Sequence, residues 1–486
     1  MANNNSQSIH LKKEILVRII QAFLSDNYEE NTRLIPYDMR PKGAEVPYRC
    51  CVYKERAILK ERVKSGLGFS IEEDDETKLL SEYAKEALDR EKPEENVLTV
   101  LDSACAGCVP SRIYVTDLCK GCVARPCQTA CKFGAIEMVD GKSKIDGSKC
   151  KGCKMCMNAC PYNAIVKLAV PCEDACPVGA IKKDENGIAQ IDFDMCITCG
   201  KCVAACPFGA VNEKSQIIDI LKYMKNPNKK VIAMFAPSLV GQLPGSVYQL
   251  KTAMKKAGFD EVYEVAQGAD ITTLNEAREF EEKMEEGQPF MTTSCCAGYN
   301  RFVDKHLPEM QEFRSTTKTP LYYTAEIVKK KYPDAITVFI SPCVAKRKES
   351  MDNDNVNYVM TYEELGALFV AKKIEIIECE DEKFETESSK QARNFGVTAG
   401  VAEAVKSVLK DSDSIKPYVI SGLTKDTAKE LKKMAKDKCC SGCNLVEVMC
   451  CEGGCIGGNA TINLPKIARK QLQTLLNESP DLQRED

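Results

Sequence analysis

Apolar positions at the front of the chain fall at helical spacing. Ile9, Leu11, Ile15, Leu16, Ile19, Ile20, Phe23 and Leu24 mark one face of a helix over 9–25. A second helix is expected over 77–88, and Arg49-Cys-Cys-Val-Tyr-Lys-Glu-Arg56 opens another. The pattern changes after residue 215. A linking helix over 215–224 and a turn at Asn226-Pro-Asn-Lys-Lys230 lead into the apolar run Val231–Phe235, which reads as a buried strand. Ser246, after Pro244-Gly245, is placed as the N-cap of a helix over 246–257. Helices over 270–286 and 319–332 are each followed by a short strand. This alternation predicts a layered α/β core. Between 101 and 215 repeated cysteines replace both periods. Three regions follow: 1–100, mainly helical; 101–215, built on the repeat; and 216–486, α/β.

Three strands of the α/β region end in thiols. The strand expected over 289–293 runs into Ser294-Cys295-Cys296, and the one over 336–340 into Ser341-Pro342-Cys343. Leu445–Met449 runs into Cys450, Cys451 and Cys455. The intervening Gly453, Gly454, Gly457 and Gly458 let the backbone wrap closely. Ligands of α/β sheets sit beyond the carboxyl ends of strands. Three strands delivering thiolates to one rim describe a buried metal cluster.

Composition narrows the reading. The 486 residues include 28 cysteines but only two histidines, His10 and His306, and no tryptophan, so metal ligation rests on sulfur. A net charge of −4 leaves no basic footprint for nucleic acid. No stretch is long and apolar enough for a membrane span, and the first residues lack a signal peptide's apolar region. A cytoplasmic setting is expected, where CxxC runs mean metal rather than disulfides.

The repeat is fourfold. Cys127-Gln-Thr-Ala-Cys131-Lys-Phe-Gly-Ala-Ile136 returns as Cys156-Met-Asn-Ala-Cys160-Pro-Tyr-Asn-Ala-Ile165, as Cys172-Glu-Asp-Ala-Cys176-Pro-Val-Gly-Ala-Ile181 and as Cys202-Val-Ala-Ala-Cys206-Pro-Phe-Gly-Ala-Val211. Each resembles half of a bacterial two-cluster ferredoxin. There, three cysteines of one loop hold a 4Fe–4S cube and the partner half supplies the fourth. That crossing rule gives Cys119, Cys122, Cys127 and Cys160 to a first cube. It gives Cys150, Cys153, Cys156 and Cys131 to a second, and Cys196, Cys199, Cys202 and Cys176 to a third. The third half-motif lacks its leading CxxC, which leaves Cys172 and Cys206 without partners. Cys105-Ala-Gly-Cys108 is a spare CxxC upstream. Either these four hold a fourth cube, or the half is degenerate and its cysteines are packed thiols. Cys50 and Cys51 are small buried residues, or one of them joins Cys439, Cys440 and Cys443 in an additional metal site.

Thr293-Ser-Cys-Cys-Ala297, Pro342-Cys-Val-Ala-Lys346 with Glu349, and Glu447-Val-Met-x-Cys451-x-x-Gly-Cys455 resemble the three signature segments of the iron-only (FeFe) hydrogenases, in order and spacing. Phe395-Gly-Val-Thr-Ala-Gly-Val-Ala-Glu403 is similar to a further family segment, and the front end to the group B branch. The resemblance implies a tandem ferredoxin-like domain followed by an α/β catalytic domain. It implies an H-cluster: a 4Fe–4S cube bridged to a two-iron unit carrying CO, cyanide and a dithiolate. By motif position the ligands are Cys296, Cys343, Cys451 and Cys455, the last bridging. Cys295, Glu276, Ser315 and Glu279 form the implied proton path. Lys346 would pair with a cyanide ligand, Glu349 would support it and Met449 would wall the two-iron unit. Ala236, Pro237, Ser238 and Ser341 would line the site.

The implied reaction is reversible interconversion of H2 with protons and electrons, relayed to a soluble carrier such as ferredoxin. Dedicated maturation proteins are implied too. The alternative is a hydrogen-sensing or electron-transfer protein without substantial turnover. The chain departs from better-known members at Ser341, Ala297, Tyr299, Leu321 and Cys450, where methionine, proline, tryptophan, glutamine and alanine are usual.

Overall fold

The structure, a computed structural model, describes residues 7–43, 51–108 and 112–483. Helices Gln7–Leu24, Tyr28–Met39, Val52–Gly66 and Leu80–Asp89 form the front of the chain. Ile15, Leu16, Ile19, Ile20 and Phe23 pack inward, as their spacing predicts, and share one core with Leu221, Phe235, Leu365 and Leu368. Tyr28–Met39 lies outside the sequence expectations, because its charges and Pro36 mask the apolar period. Cys50 lies outside the described residues, and Cys51 stands at the N-cap of Val52–Gly66.

Two parallel sheets make the α/β region. One has the order Glu261–Glu264, Val231–Phe235, Ile336–Ser341, Tyr358–Thr361. The other places Leu445–Met449 between Met291–Thr292 and Pro417–Ser421. Val231–Phe235 and Leu445–Met449 are buried along their whole length, as expected of strands covered on both faces. The three thiol-bearing strands therefore belong to two sheets, whose carboxyl ends meet. Ser246 caps Val247–Ala257 as expected, its hydroxyl accepting from the Gln249 N–H at 3.0 Å.

Short antiparallel pairs organise the cysteine-rich region. Leu98–Val100 pairs with Val211–Glu213, and Arg112–Val115 with Ile165–Leu168. Hairpins join Ile136–Val139 to Lys142–Ile145 and Ile181–Lys183 to Ala189–Ile191. Among the described residues, no helix is long and apolar enough to cross a membrane.

Buried ion pairs fasten these parts together. Lys12 of the first helix bridges Glu213 and Glu363. Arg347, fully buried, places Nη2 2.7 Å from both carboxylate oxygens of Glu364 and donates through Nη1 to the Lys214 carbonyl. Glu364 also accepts from the Ser215 hydroxyl. The segment leaving the cysteine-rich region is thus clamped beside the loop that carries Cys343. Arg347→Met strands the Glu364 charge in a dry site, and a loss of about 3–5 kcal/mol in anaerobic denaturant unfolding is expected. Arg347→Met with Glu364→Leu is expected to recover most of that loss.

Candidate metal centre and proton path

Cys296 stands at the N-cap of the Ala297–His306 helix, just beyond Met291–Thr292. Cys343 follows Ile336–Ser341, and Cys451 and Cys455 follow Leu445–Met449. The fold brings the four together. Cys451 is faced by Cys343, Cys296 and Cys455, and Cys455 by Cys343 and Cys296. Burial pushes Cys343 up to about 11, Cys455 up to about 12 and Cys451 well up. Cys296 is drawn down to about 6, chiefly by the Cys450 thiol beside it; the Cys450 N–H lies 3.4 Å from its sulfur. Thiols in so dry a site resist ionisation unless a metal shares the charge, which suits a soft iron–thiolate centre. His306 is elsewhere, against the Met195 carbonyl at 2.7 Å. Among the described residues, no three His, Cys, Asp or Glu side chains converge closely enough for a single ion.

Backbone contacts hold the cradle. A Cβ on Gly454, whose φ is +87°, would lie 2.8 Å from the Gly396 oxygen and from the Thr398 nitrogen. One on Gly458 would lie 2.8 Å from the Pro342 oxygen. Ser238 is buried after Ala236 and Pro237, with its hydroxyl 2.7 Å from that of Tyr362, which faces Cys455 and Cys343. The Ala236 N–H meets the Ile340 carbonyl at 2.9 Å, one residue before Ser341 at the end of the same strand. Lys346 pairs with Glu349 at 2.6 Å and reaches the Cys295 carbonyl at 3.4 Å. Burial opposes its charge, but Glu349, Cys343 and Cys295 outweigh it and raise its proton affinity. Met449 packs with Cys295, Cys296, Ala266 and Phe395.

A line of protonatable groups leads away from Cys295. Burial, then Glu276, raises the Cys295 thiol well above its ordinary range. Glu276 is wholly buried and neither of its oxygens makes a hydrogen bond of good geometry. Burial and then Glu279 push it up to about 8, opposed by the nearby Ser294 N–H and Ser315 hydroxyl. Ser315 donates to Glu279 at 2.7 Å. Burial alone would raise Glu279, but Lys283 at 2.9 Å and donors from Thr316, Ser315 and Thr317 pull it down to about 2. Two carboxylates one turn apart are thus driven to opposite protonation states.

Sequence reasoning left Glu447 without a role. Fully buried, it accepts the N–H groups of Ala399, Val401 and Ala402 at 2.7, 3.1 and 2.9 Å, at the start of the Gly400–Val408 helix. Burial pushes it up to about 7 against those donors. An acid inside an otherwise apolar strand was the available signal. Tyr362 and Asn459 carried none. Asn459 is wedged against the cysteine-rich region, where a Cβ on Gly200 would meet its Nδ2 at 2.4 Å.

The accessory cysteines gather in sets. A concavity of about 370 Å³ is lined by Cys119, Cys122, Cys127 and Cys160, and one of about 310 Å³ by Cys131, Cys150, Cys153 and Cys156. Cys199 and Cys202 are faced by Cys196 and Cys176. Away from these sets, Cys440 and Cys443 form a disulfide and Cys439 is exposed.

Residues 229–459 match the family described as iron only hydrogenase large subunit, C-terminal domain. Iron hydrogenase 1 of Clostridium pasteurianum is 30% identical over 399 residues, which span 69% of this chain and 68% of that protein. This chain belongs to the iron-only hydrogenase family. The periplasmic [Fe] hydrogenase large subunit of Nitratidesulfovibrio vulgaris is 29% identical over 67% of this chain and 87% of that one. The NADP-reducing hydrogenase subunit HndD of Solidesulfovibrio fructosivorans is 28% identical over 51% and 52%. Residues 171–210 match a 4Fe-4S dicluster domain and 143–166 a 4Fe-4S binding domain. The chain is thus an FeFe hydrogenase whose cofactors are an H-cluster and accessory 4Fe–4S clusters. The all-sulfur donor set and the glycine-lined cradle fit the H-cluster. Gly454→Ala forces two backbones apart, so a cube-free site is expected, read as about four fewer irons per chain and loss of one paramagnetic cluster.

Proposed function

We propose that the chain catalyses the reversible reaction 2H+ + 2e− to H2, and that Cys296, Cys343, Cys451 and Cys455 are the residues that would hold the H-cluster. When bound, the two-iron unit supplies an open metal site and a dithiolate amine at which H2 is split or formed. The protein's share is to position, to exclude water and to move protons. Lys346 stays cationic beside Glu349 and pairs with negative charge on the cofactor. Ala236, Pro237, Ser238, Ser341 and Met449 wall the site, and Glu349 steadies Lys346.

The observation that carries this reading is the proton line ending at the thiol rim. Cys295 holds its proton at Sγ, because burial and Glu276 disfavour the thiolate. Glu276, raised to about 8, is a neutral acid at neutral pH and can resupply that proton. The Ser315 hydroxyl bridges to Glu279, which remains a carboxylate and takes up protons toward solvent beside Lys283 and Thr316. Electrons travel through the accessory cubes assigned above, and a soluble carrier of the ferredoxin kind fits a chain with no spanning helix among its described residues. The three regions 1–100, 101–215 and 216–486 divide this work as front end, relay and catalytic domain. The setting is cytoplasmic, and dedicated maturation proteins deliver the two-iron unit.

In matured enzyme, Glu279→Ala or Ser315→Ala is expected to cut proton-reduction turnover about 100-fold or more, with viologen-linked H2 assays as the readout. Turnover within twofold of wild type in both would sink the proposed path. The pH profile gives a second check. Glu276 loses its proton as pH rises through about 8, so proton delivery falls over that window. Glu276→Gln is expected to leave a low rate that is flat across it.

A further inference from the structure

The spare CxxC and the orphaned Cys172 and Cys206 find an explanation in how two ferredoxin-like units are threaded. Arg112 and Leu168 are register partners, so the segment from 112 to 168 begins and ends at one place. It carries the first two sets of cysteines. Outside it, Leu98–Val100 pairs with Val211–Glu213 and closes a second unit around the first. Cys108 lies four residues before Arg112 and Cys172 four residues after Leu168. The inner unit's closing strands thus bring the two ends of the interrupted outer unit together.

The outer unit repeats the inner one's order of strand, CxxC and following cysteine. In the inner unit, Arg112–Val115 is followed by Cys119 and Cys122; in the outer, Leu98–Val100 is followed by Cys105 and Cys108. Cys127 follows Pro126 in the Pro126–Thr129 turn, and Cys172 follows Pro171 in the Pro171–Ala175 turn, both buried. Cys206 accepts the Ala210 N–H at 3.3 Å, the bond that Cys131 and Cys176 receive from Ala135 and Ala180 at 3.4 and 3.2 Å.

The four thiols share one packed cluster, Cys105 and Cys172 inside it and Cys108 and Cys206 against it. Cys105 receives the Ala189 N–H at 3.3 Å, with the Lys183 ammonium 3.5 Å from its sulfur, contacts that suit a sulfur carrying negative charge. Gly107 is also required where it stands, since a Cβ there would lie 2.4 Å from the Phe208 ring, two residues past Cys206.

We infer that Cys105, Cys108, Cys172 and Cys206 hold a fourth accessory 4Fe–4S cube, on a ferredoxin-like unit split by the insertion of a second one. All four ligands are soft thiolates on short loops, the donor set of the other cubes. The packed-thiol alternative leaves unexplained why a CxxC displaced by an insertion returns to its counterpart's position.

The test is iron and acid-labile sulfide per chain in the full-length protein, reconstituted anaerobically without the two-iron unit. Four accessory cubes and the H-cluster cube predict about 20 irons per chain. Cys105→Ser with Cys108→Ser is expected to lose about four irons, as is the control Cys119→Ser with Cys122→Ser. About 16 irons in the wild type would overturn the inference. So would an unchanged count in the Cys105/Cys108 variant beside a loss in the control. Should that variant not accumulate, the wild-type count decides. The result is separable from the catalytic proposal, which the CO bands of the two-iron unit test independently.

Discussion

A thiolate held away from water is costly, and this molecule gathers four cysteines at the strand ends of two sheets. Cys343 follows a strand of one sheet, Ile336–Ser341, while Cys296, Cys451 and Cys455 follow two neighbouring strands of the other, Met291–Thr292 and Leu445–Met449. The loops that carry them touch backbone to backbone at Gly454 and Gly458. Without a metal, burial holds most of these thiols protonated. With iron, the same dry walls strengthen every charge placed around it. Lys346 beside Glu349, and Glu447 at the start of Gly400–Val408, are arrangements that such a setting makes consequential.

Electron supply obeys the same constraint of close approach. A Cβ on Gly298 would lie 2.9 Å from the Cys450 sulfur and 3.8 Å from the Cys199 Cβ, so Cys199 of the cysteine-rich region stands close to the segment that carries Cys450 and Cys296. Cys450, where alanine is usual, fills the space between Cys199 and Cys296. The carboxylates of Glu276 and Glu279 differ because their surroundings do: one has a dry pocket, the other Lys283 and a threonine loop.

Much of this was legible in the sequence wherever the signal was local. Leu445–Met449 was visible as an unbroken apolar run around one acid. The crossing rule of the repeat named the sets that line the two concavities, because cube loops are short. Two α/β parts with the cluster between them were expected, but pairing between distant strands left no local trace, so which thiol-bearing strand belongs to which sheet was hidden. Ala297–His306 begins directly on Cys296 with no side-chain cap to announce it. Spacing alone does not separate Glu276 from Glu279, and their path rested on the family resemblance; only the fold buries Glu276 and hands Glu279 to Thr316 and Thr317. The split ferredoxin was half visible, as an orphaned pair and a spare pair, but their meeting depends on the register of Arg112 with Leu168.

The most direct test of the account is the infrared spectrum of anaerobically purified protein matured with the two-iron cofactor, recorded before and after H2. The account predicts sharp CO and cyanide bands that change when H2 is admitted. A spectrum without such bands, in protein with its full complement of cubes and confirmed delivery of the two-iron unit, would contradict it.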